Sequence, residues 1–377
     1  MYNDSFLNKK LDERRAADAF RVLRLPYGKV DFCSNDYLGV IKNNLLQQEL
    51  TRSAFSNDDH GRIKHGLATG SGGSRLLAGN TSFTEETETV IAAFHQSDTA
   101  LIFNSGYDAN TGVLSCVPQR GDTVIYDALS HASIRDGVRL SFATAFPFNH
   151  NDMEDLEKKL QKATGNIFVV TESVFSMDGD ICPLAEMLNL CRQYNAHLIL
   201  DEAHATGVIG VKGEGLAQHL GLHEHVFCRV HTFGKACGCH GAVALGSQNL
   251  KDYLVNFSRS FIYTTALPEH AVAGIRAAYS VFPHLVTERK HLASITGFFQ
   301  AAVMPWQKLP SATPIQVVVV PGNSDAKNLA GKLQQNGLDV KAILYPTVPK
   351  GGERLRIVLH AFNTMQEMEL LVNALNG

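Results

Sequence analysis

Short apolar runs that stop abruptly in polar, small-residue tips recur along the first two-thirds of the chain. Ala100 to Phe103 runs into Asn104-Ser105-Gly106, and Thr123 to Tyr126 is followed by Ser130-His131-Ala132-Ser133. Ile167 to Thr171 gives way to Glu172-Ser173-Val174-Phe175-Ser176, and His197 to Leu200 stops at Asp201-Glu202-Ala203-His204. Val226 to Val230 leads to Thr232-Phe233-Gly234-Lys235 among small residues. Runs of this length with polar ends predict buried strands. Between them lie helical stretches: Thr84 to His95, a helix opened by the capping-box-like Asn151-Asp152-Met153-Glu154, and Pro183 to Tyr194. Strand, polar tip and helix in repetition predict a parallel sheet flanked by helices, whose ligands sit at the carboxyl ends of the strands.

The two ends of the chain read differently. Residues 6–24 predict an amphipathic helix with Leu7, Leu11, Ala16 and Phe20 near one face, followed by a short strand at Val30 to Phe32 and a turn-rich Ser34 to Gly39. After about residue 270 the strand-tip pattern ceases. Residues 268–303 read as helical, Val317 to Val320, Leu338 to Ile343 and Arg354 to Leu359 as strands, and 325–336 and 364–376 as helices. The expectation is an α/β protein in three parts: an N-terminal helix and cover segment (1–45), a large domain with a mostly parallel sheet (46–270), and a smaller α+β domain (271–377).

Composition narrows the classes of function. The 377 residues are 45% hydrophobic and 19% charged, ordinary values for an enzyme with a large core, and the net charge of −3 gives no reason to expect nucleic acid as a partner. Seven scattered cysteines make no disulfide framework. The N-terminal stretch lacks the apolar core of a signal peptide, and no run is long enough to span a bilayer. These readings predict a cytoplasmic protein without a membrane partner.

An acid, an imidazole and a lysine at neighbouring strand ends (Asp201, His204, Lys235) suit a pyridoxal 5′-phosphate (PLP) site, where a lysine forms the Schiff base and a carboxylate pairs with the pyridinium nitrogen. The competing reading is a helix-capping Asp201 and a partly buried ion pair at Lys235. Ser105-Gly106 before a helix start is a plausible anion site, and His131 follows a strand on the same rim. The Gly- and Ser-rich residues 61–80 lack the lysine of a phosphate-binding P-loop. Cys228, His231, Cys237, Cys239 and His240 crowd Lys235, but their spacing does not match paired zinc knuckles and they read mainly as packing residues. Arg354 and Arg356 alternate onto one face of a strand, exposed or gripping a carboxylate.

At this point the chain resembles the α-oxoamine synthases, a branch of the fold-type-I PLP enzymes. The resemblance lies in SNDYLG (34–39), GSGGSR (70–75), SGYDAN (105–110), SHAS (130–133), ESVFSMDGD (172–180), DEAHATGVIG (201–210), TFGK (232–235) and RLRI (354–357), in the family's order. Further segments, ERRAADAFR (13–21), FNHND (148–152), FIYTTALP (261–268) and PTVPKGGERLRI (346–357), are similar to the branch that joins L-alanine to a pimeloyl thioester in biotin synthesis. The resemblance implies a fold-type-I PLP transferase. Lys235 would be the Schiff-base lysine, Asp201 the partner of the pyridinium nitrogen, and His131 a ring-stacking residue. His204 and Ser176 would sit on the phenolic-oxygen side. Gly106, Tyr107 and Thr232 would hold the phosphate, while Thr264 and Thr265 would reach a neighbouring protomer's phosphate in a homodimer with shared active sites. Arg356 and Asn35 would bind the amino-acid carboxylate, and Arg21 the far carboxylate of the acyl chain. The substrates implied are L-alanine and an acyl thioester on CoA or a carrier protein. Sister synthases using glycine or serine are the alternatives, together with a non-catalytic scaffold subunit, which would be expected to lack Lys235. The chain departs from the family pattern at Thr84 and Thr87, in a shortened stretch between Tyr27 and Val30, and in a small insertion before Lys235.

Overall fold

A computed structural model of the chain describes residues 2–25, 28–54 and 68–377. It divides into two compact units, a smaller one formed by residues 1–35, 177–180 and 290–377 and a larger one formed by 36–176 and 181–289. The three-part division read from the sequence stands beside this one as a proposal. The first part of the Gly- and Ser-rich stretch, 61–67, lies outside the described residues.

In the smaller unit a 3₁₀ turn at Ser5–Leu7 leads into α1 (Asn8–Ala16). The expected helix over 6–24 therefore stops eight residues early. Asp18 takes a positive φ of 51° and the Ala19 N–H returns to the Arg14 carbonyl at 2.9 Å, which closes the helix end. Asp18 also pairs with Lys327, anchoring the turn against the helix Asn323–Gln335. Strand β1 (Val30–Asp31) follows, and residues 19–25 carry no regular structure.

The larger unit opens with α2 (Leu45–Ala54) and α3 (Ser82–Phe94), then alternates strands and helices: β2 (Thr99–Phe103), α4 (Gly106–Cys116), β3 (Thr123–Asp127), α5 (Ala132–Leu140), β4 (Thr144–Phe148), α6 (Met153–Leu160), β5 (Ile167–Glu172), α7 (Leu184–Gln193), β6 (Ala196–Asp201), β7 (Cys228–Thr232) and β8 (Ala242–Gly246). These strands form one seven-stranded sheet in the order β2-β8-β7-β6-β5-β3-β4. Every pairing is parallel except those of β8, which runs against both β2 and β7. The expected mostly parallel sheet is present. Its core is Leu101, Phe103, Val124, Phe168, Val170, Ile199 and Val230 on the strands against Val113, Leu114, Ile134 and Val138 of α4 and α5. The carboxyl ends of β2, β3, β5, β6 and β7 share one edge, which is where the chemistry-bearing tips fall.

The rest of the smaller unit is antiparallel: β9 (Gln307–Lys308), β10 (Ile315–Val319), β12 (Lys341–Ile343) and β13 (Arg354–Val358) pair in the order β12-β13-β10-β9, while β11 (Leu338–Asp339) pairs in parallel with β1. The single strand expected over 338–343 is thus two short strands in different sheets, because the fully buried Val340 turns the chain between them. The expected helix over 268–303 is likewise two helices, Glu269–Val281 and Val286–Ala301, split by a 3₁₀ turn containing Pro283, which cannot donate a helical hydrogen bond. Among the described residues no helix is long and apolar enough to cross a membrane.

Candidate active site

Asp201 ends β6, flanked by Glu172 on β5 and Val230 on β7. Its two oxygens are both engaged: Oδ1 accepts the Ala203 N–H at 2.8 Å and Oδ2 accepts from Asn110 Nδ2 at 2.6 Å. Asn110 comes from α4, where Ala109, Val113 and Leu114 are buried around it, and it also donates to Ser133 Oγ at 3.0 Å. Ser133 in turn meets His131 Nδ1, through its hydroxyl at 2.8 Å and its N–H at 3.2 Å. Because a backbone N–H can only donate, Nδ1 is an acceptor and the neutral ring carries its proton on Nε2. Burial lowers the His131 pKa, Asp201 opposes that shift and Lys235 adds to it, so the imidazole stays neutral. A hydrogen-bonded line therefore runs from Asp201 through Asn110 and Ser133 to His131. The backbone of His131, which caps α5, is held separately by Glu172 Oε1 at 2.6 Å.

Lys235 lies in the connection between β7 and β8. The Phe233 N–H donates to the Gly241 carbonyl, Cys239 to Phe233 and Gly238 to Lys235, each at 2.9 Å, so the lysine rides on a closed turn pinned by the fully buried Phe233. Gly238 has φ +68°, and a Cβ there would lie 2.5 Å from Val40 Cγ1. The lysine is half-buried, and its charge acts on both His131 and Glu172. Cys237 is buried and Cys239 half-buried, with thiols pushed up by burial, Cys239 to about 12. Among the described residues no cluster of three or more His, Cys, Asp or Glu is placed to hold a metal ion.

Thr232 ends β7 one strand from β2, whose tip leads through Ser105 into α4. Ser105 caps the helix by accepting the Asp108 N–H at 3.1 Å, which leaves the Gly106 and Tyr107 N–H groups in the first turn without helical acceptors. Gly106 lies against Thr232: a Cβ on it would come within 2.4 Å of Thr232 Cγ2. The Thr232 hydroxyl oxygen is buried with no hydrogen-bond partner among the described residues. An anion bound between this hydroxyl and the helix N-terminus would satisfy both. Asn104, on the same tip, donates to Thr264 Oγ1 at 3.0 Å and to the Thr265 carbonyl at 2.8 Å.

His204 follows Asp201 in the same tip, and a 2.6 Å hydrogen bond joins its Nδ1 to the hydroxyl of the fully buried Tyr37. Ser176 lies half-buried after β5. In the smaller unit, Arg356 on β13 donates through NH2 to Asn35 Oδ1 at 3.0 Å, so the two residues expected to hold a carboxylate are together. Its strand neighbour Arg354 is instead committed to Asp178 and to the Gly352 carbonyl. Arg21 is exposed, donates to Thr347 Oγ1 at 3.3 Å, and lines a groove of about 640 Å³ within the same unit, together with Phe20, Leu23, Lys341 and Leu344.

Sequence reasoning did not single out Asn110, Ser133, Glu172 or Tyr37. Each stands inside a motif that was noticed, and Asn110 carried one further signal, an amide among the buried apolar positions of α4.

The model of the aminotransferase class I and II family matches residues 27–375. The chain belongs to that family. It is 40% identical to an 8-amino-7-oxononanoate synthase of Emericella nidulans, over 93% of this chain and 89% of the relative. Among solved structures it is similar to a serine palmitoyltransferase of Sphingomonas wittichii (TM-score 0.87, 27% identity, 100% of this chain and 98% of that one). It is also similar to an 8-amino-7-oxononanoate synthase of Francisella tularensis (TM-score 0.76, 28% identity, 92% and 97%). This aminotransferase-family chain has the fold-type-I architecture; it is a PLP-dependent acyltransferase. The residues present fit the cofactor: an orphaned buried hydroxyl beside a helix N-terminus for its phosphate, a carboxylate oriented by two donors for its ring nitrogen, and a half-buried lysine on a rigid turn.

Proposed function

We propose that the protein condenses L-alanine with a pimeloyl thioester, on CoA or a carrier protein, releasing carbon dioxide and the thiol and yielding 8-amino-7-oxononanoate for biotin synthesis. The observation that carries this reading is the 40% identity to a synthase of that name over nearly the whole chain. PLP, when bound, supplies the electron sink that stabilises negative charge at the amino acid's Cα.

The protein's own residues supply the rest. Gly106, Tyr107 and Thr232 would hold the phosphate, and Asp201, oriented by Asn110 and Ala203, would set its carboxylate against the ring nitrogen. The neutral His131 would pack against the cofactor, and His204, held by Tyr37, and Ser176 would be available to its phenolic oxygen. Arg356 with Asn35 grips the amino-acid carboxylate, and the arginine's fork fixes its orientation. The Lys235 amine, as a free base, takes the Cα proton and later returns one to the same carbon. A carbon–carbon bond forms between Cα and the acyl carbon as the carbon–sulfur bond breaks and the thiolate leaves to take a proton from water, and the bond from Cα to the carboxylate then breaks, releasing carbon dioxide. Arg21 binds the far carboxylate of the acyl chain. A cytoplasmic homodimer in which Thr264 and Thr265 reach the partner's phosphate belongs to the same proposal.

The likeness to serine palmitoyltransferase structures favours a second reading, in which serine and a long acyl thioester replace these substrates. Purified, PLP-loaded protein should release thiol and carbon dioxide from L-alanine and pimeloyl-CoA and give a product of the expected mass. Turnover confined to serine with palmitoyl-CoA would replace the first reading with the second.

A further inference from the structure

Three carboxylates stand at the tips of three adjacent strands. Asp127 ends β3, Glu172 ends β5 and Asp201 ends β6, and Glu172 is in register with Asp201. All three are buried, Glu172 with 3% of its surface exposed. The outer two have their own donors. Asp127 holds His150 Nδ1 at 3.0 Å and the N–H groups of Leu129 and Asn151, and Asp201 holds Asn110 and Ala203. Glu172, in the middle, accepts the His131 N–H.

We propose that Glu172 is a positioning residue of the cofactor site, a neutral carboxyl that ties down His131 and leaves Asp201 as the one anionic carboxylate facing the cofactor's ring nitrogen. The inference rests on the reading of Asp201 and His131 given above. Every group facing Glu172 bears on it. Burial is the largest influence and raises its pKa, with Asp201 on β6 and Asp127 on β3 adding to the rise; the His131 N–H and Lys235 on the turn after β7 work against it. The balance lies with the neutral form, the carboxyl being pushed up to about 8. Like charges crowded out of water cannot all be kept, and the member with the fewest donors gives way. A protonated Glu172 keeps an oxygen to accept from His131 without adding a third negative charge to the row. A glutamine would likewise accept from His131 and stay uncharged, whereas an ionised carboxylate would accept but add the charge.

The test uses Glu172→Gln and Glu172→Leu, with two readouts. In cofactor-free protein, the thermal midpoint is followed against pH. A carboxyl raised from 4.5 to about 8 by folding contributes stability that is present below pH 4.5 and lost as pH rises through 8. Glu172→Gln should therefore gain steadily on the natural protein across that window. In PLP-loaded protein, Glu172→Gln should bind PLP at neutral pH within about threefold of the natural protein, whereas Glu172→Leu, lacking the acceptor for His131, should lose about tenfold or more. The visible spectrum of the bound cofactor should change near pH 8 in the natural protein and not in Glu172→Gln. A constant midpoint difference across the window, a Glu172→Gln protein that fails to fold, or one that loses PLP as badly as Glu172→Leu would overturn the inference. Failure of the site reading shows separately, as full PLP affinity and turnover in Asp201→Asn, because the midpoint profile is measured without cofactor.

Discussion

Asn110 Nδ2 donates to Asp201 Oδ2 at 2.6 Å, a bond between residues 91 positions apart that are both buried. It joins the second turn of α4 to the tip of β6, and through Ser133 it extends to His131. One amide thus sets the orientation of the carboxylate assigned to the ring nitrogen and of the imidazole assigned to its face. Replacing Asn110 by Leu should leave the fold intact and weaken PLP binding by about tenfold, as expected for an orphaned buried acceptor. Equilibrium titration followed by visible absorption reads this, and unchanged affinity would remove Asn110 from the site.

Gly106 and Thr232 make a second prediction. A Cβ on Gly106 would lie 2.4 Å from Thr232 Cγ2, so Gly106→Ala must push the helix start from the strand end. PLP affinity should fall about tenfold or more, through misplaced N–H donors. Adding Thr232→Ala should relieve the clash and restore thermal stability but not affinity, since the hydroxyl is then gone.

Arg356 and Arg21 divide the substrate between them in our reading. Arg356→Lys loses the planar fork and should raise KM for the amino acid by about tenfold or more with a smaller effect on kcat. Arg21→Ala should impair use of a dicarboxylic acyl donor far more than of a plain fatty acyl-CoA. Equal losses for the two donors would take Arg21 out of acyl selection.

A buried histidine pair also contributes to the pH dependence of stability. His95 and His231 have rings 4.0 Å apart in the core, and burial lowers both well below 6.5. A histidine depressed by folding contributes stability that is present above 6.5 and lost as pH falls below it, at about 1.4 kcal/mol per pH unit for each fully coupled group. Between pH 7.5 and 5 the urea midpoint of the natural protein should therefore fall relative to that of His95→Leu. An identical slope in the variant would contradict this role for His95.

Much of this architecture is legible in the chain because its strands are buried on both faces and end sharply. That is why Asp201, His204 and Lys235 stand out at polar tips, and why the mostly parallel sheet can be expected. Strand β4 escaped because it lies at the sheet edge, has four exposed residues of five and contains Pro147. The Glu172–His131 contact escaped for a different reason: β5 packs beside β3 only through the sheet order, which local pattern does not encode. The helix expected over 6–24 outruns α1 because its periodicity continues past Asp18, where the pairing with Lys327 and a left-handed backbone override it. The line from Asn110 to His131 depends on one side-chain rotamer after another, and no spacing rule reports that.

The most direct measurement is borohydride reduction of the PLP-loaded protein followed by peptide mass mapping, which locates the lysine that holds the cofactor covalently. The account predicts one phosphopyridoxyl group per chain, on Lys235, and none in Lys235→Ala. Labelling of a different lysine in the natural protein, or equal labelling of the Lys235→Ala variant, would contradict the assignment on which the site, the mechanism and the role of Glu172 all depend.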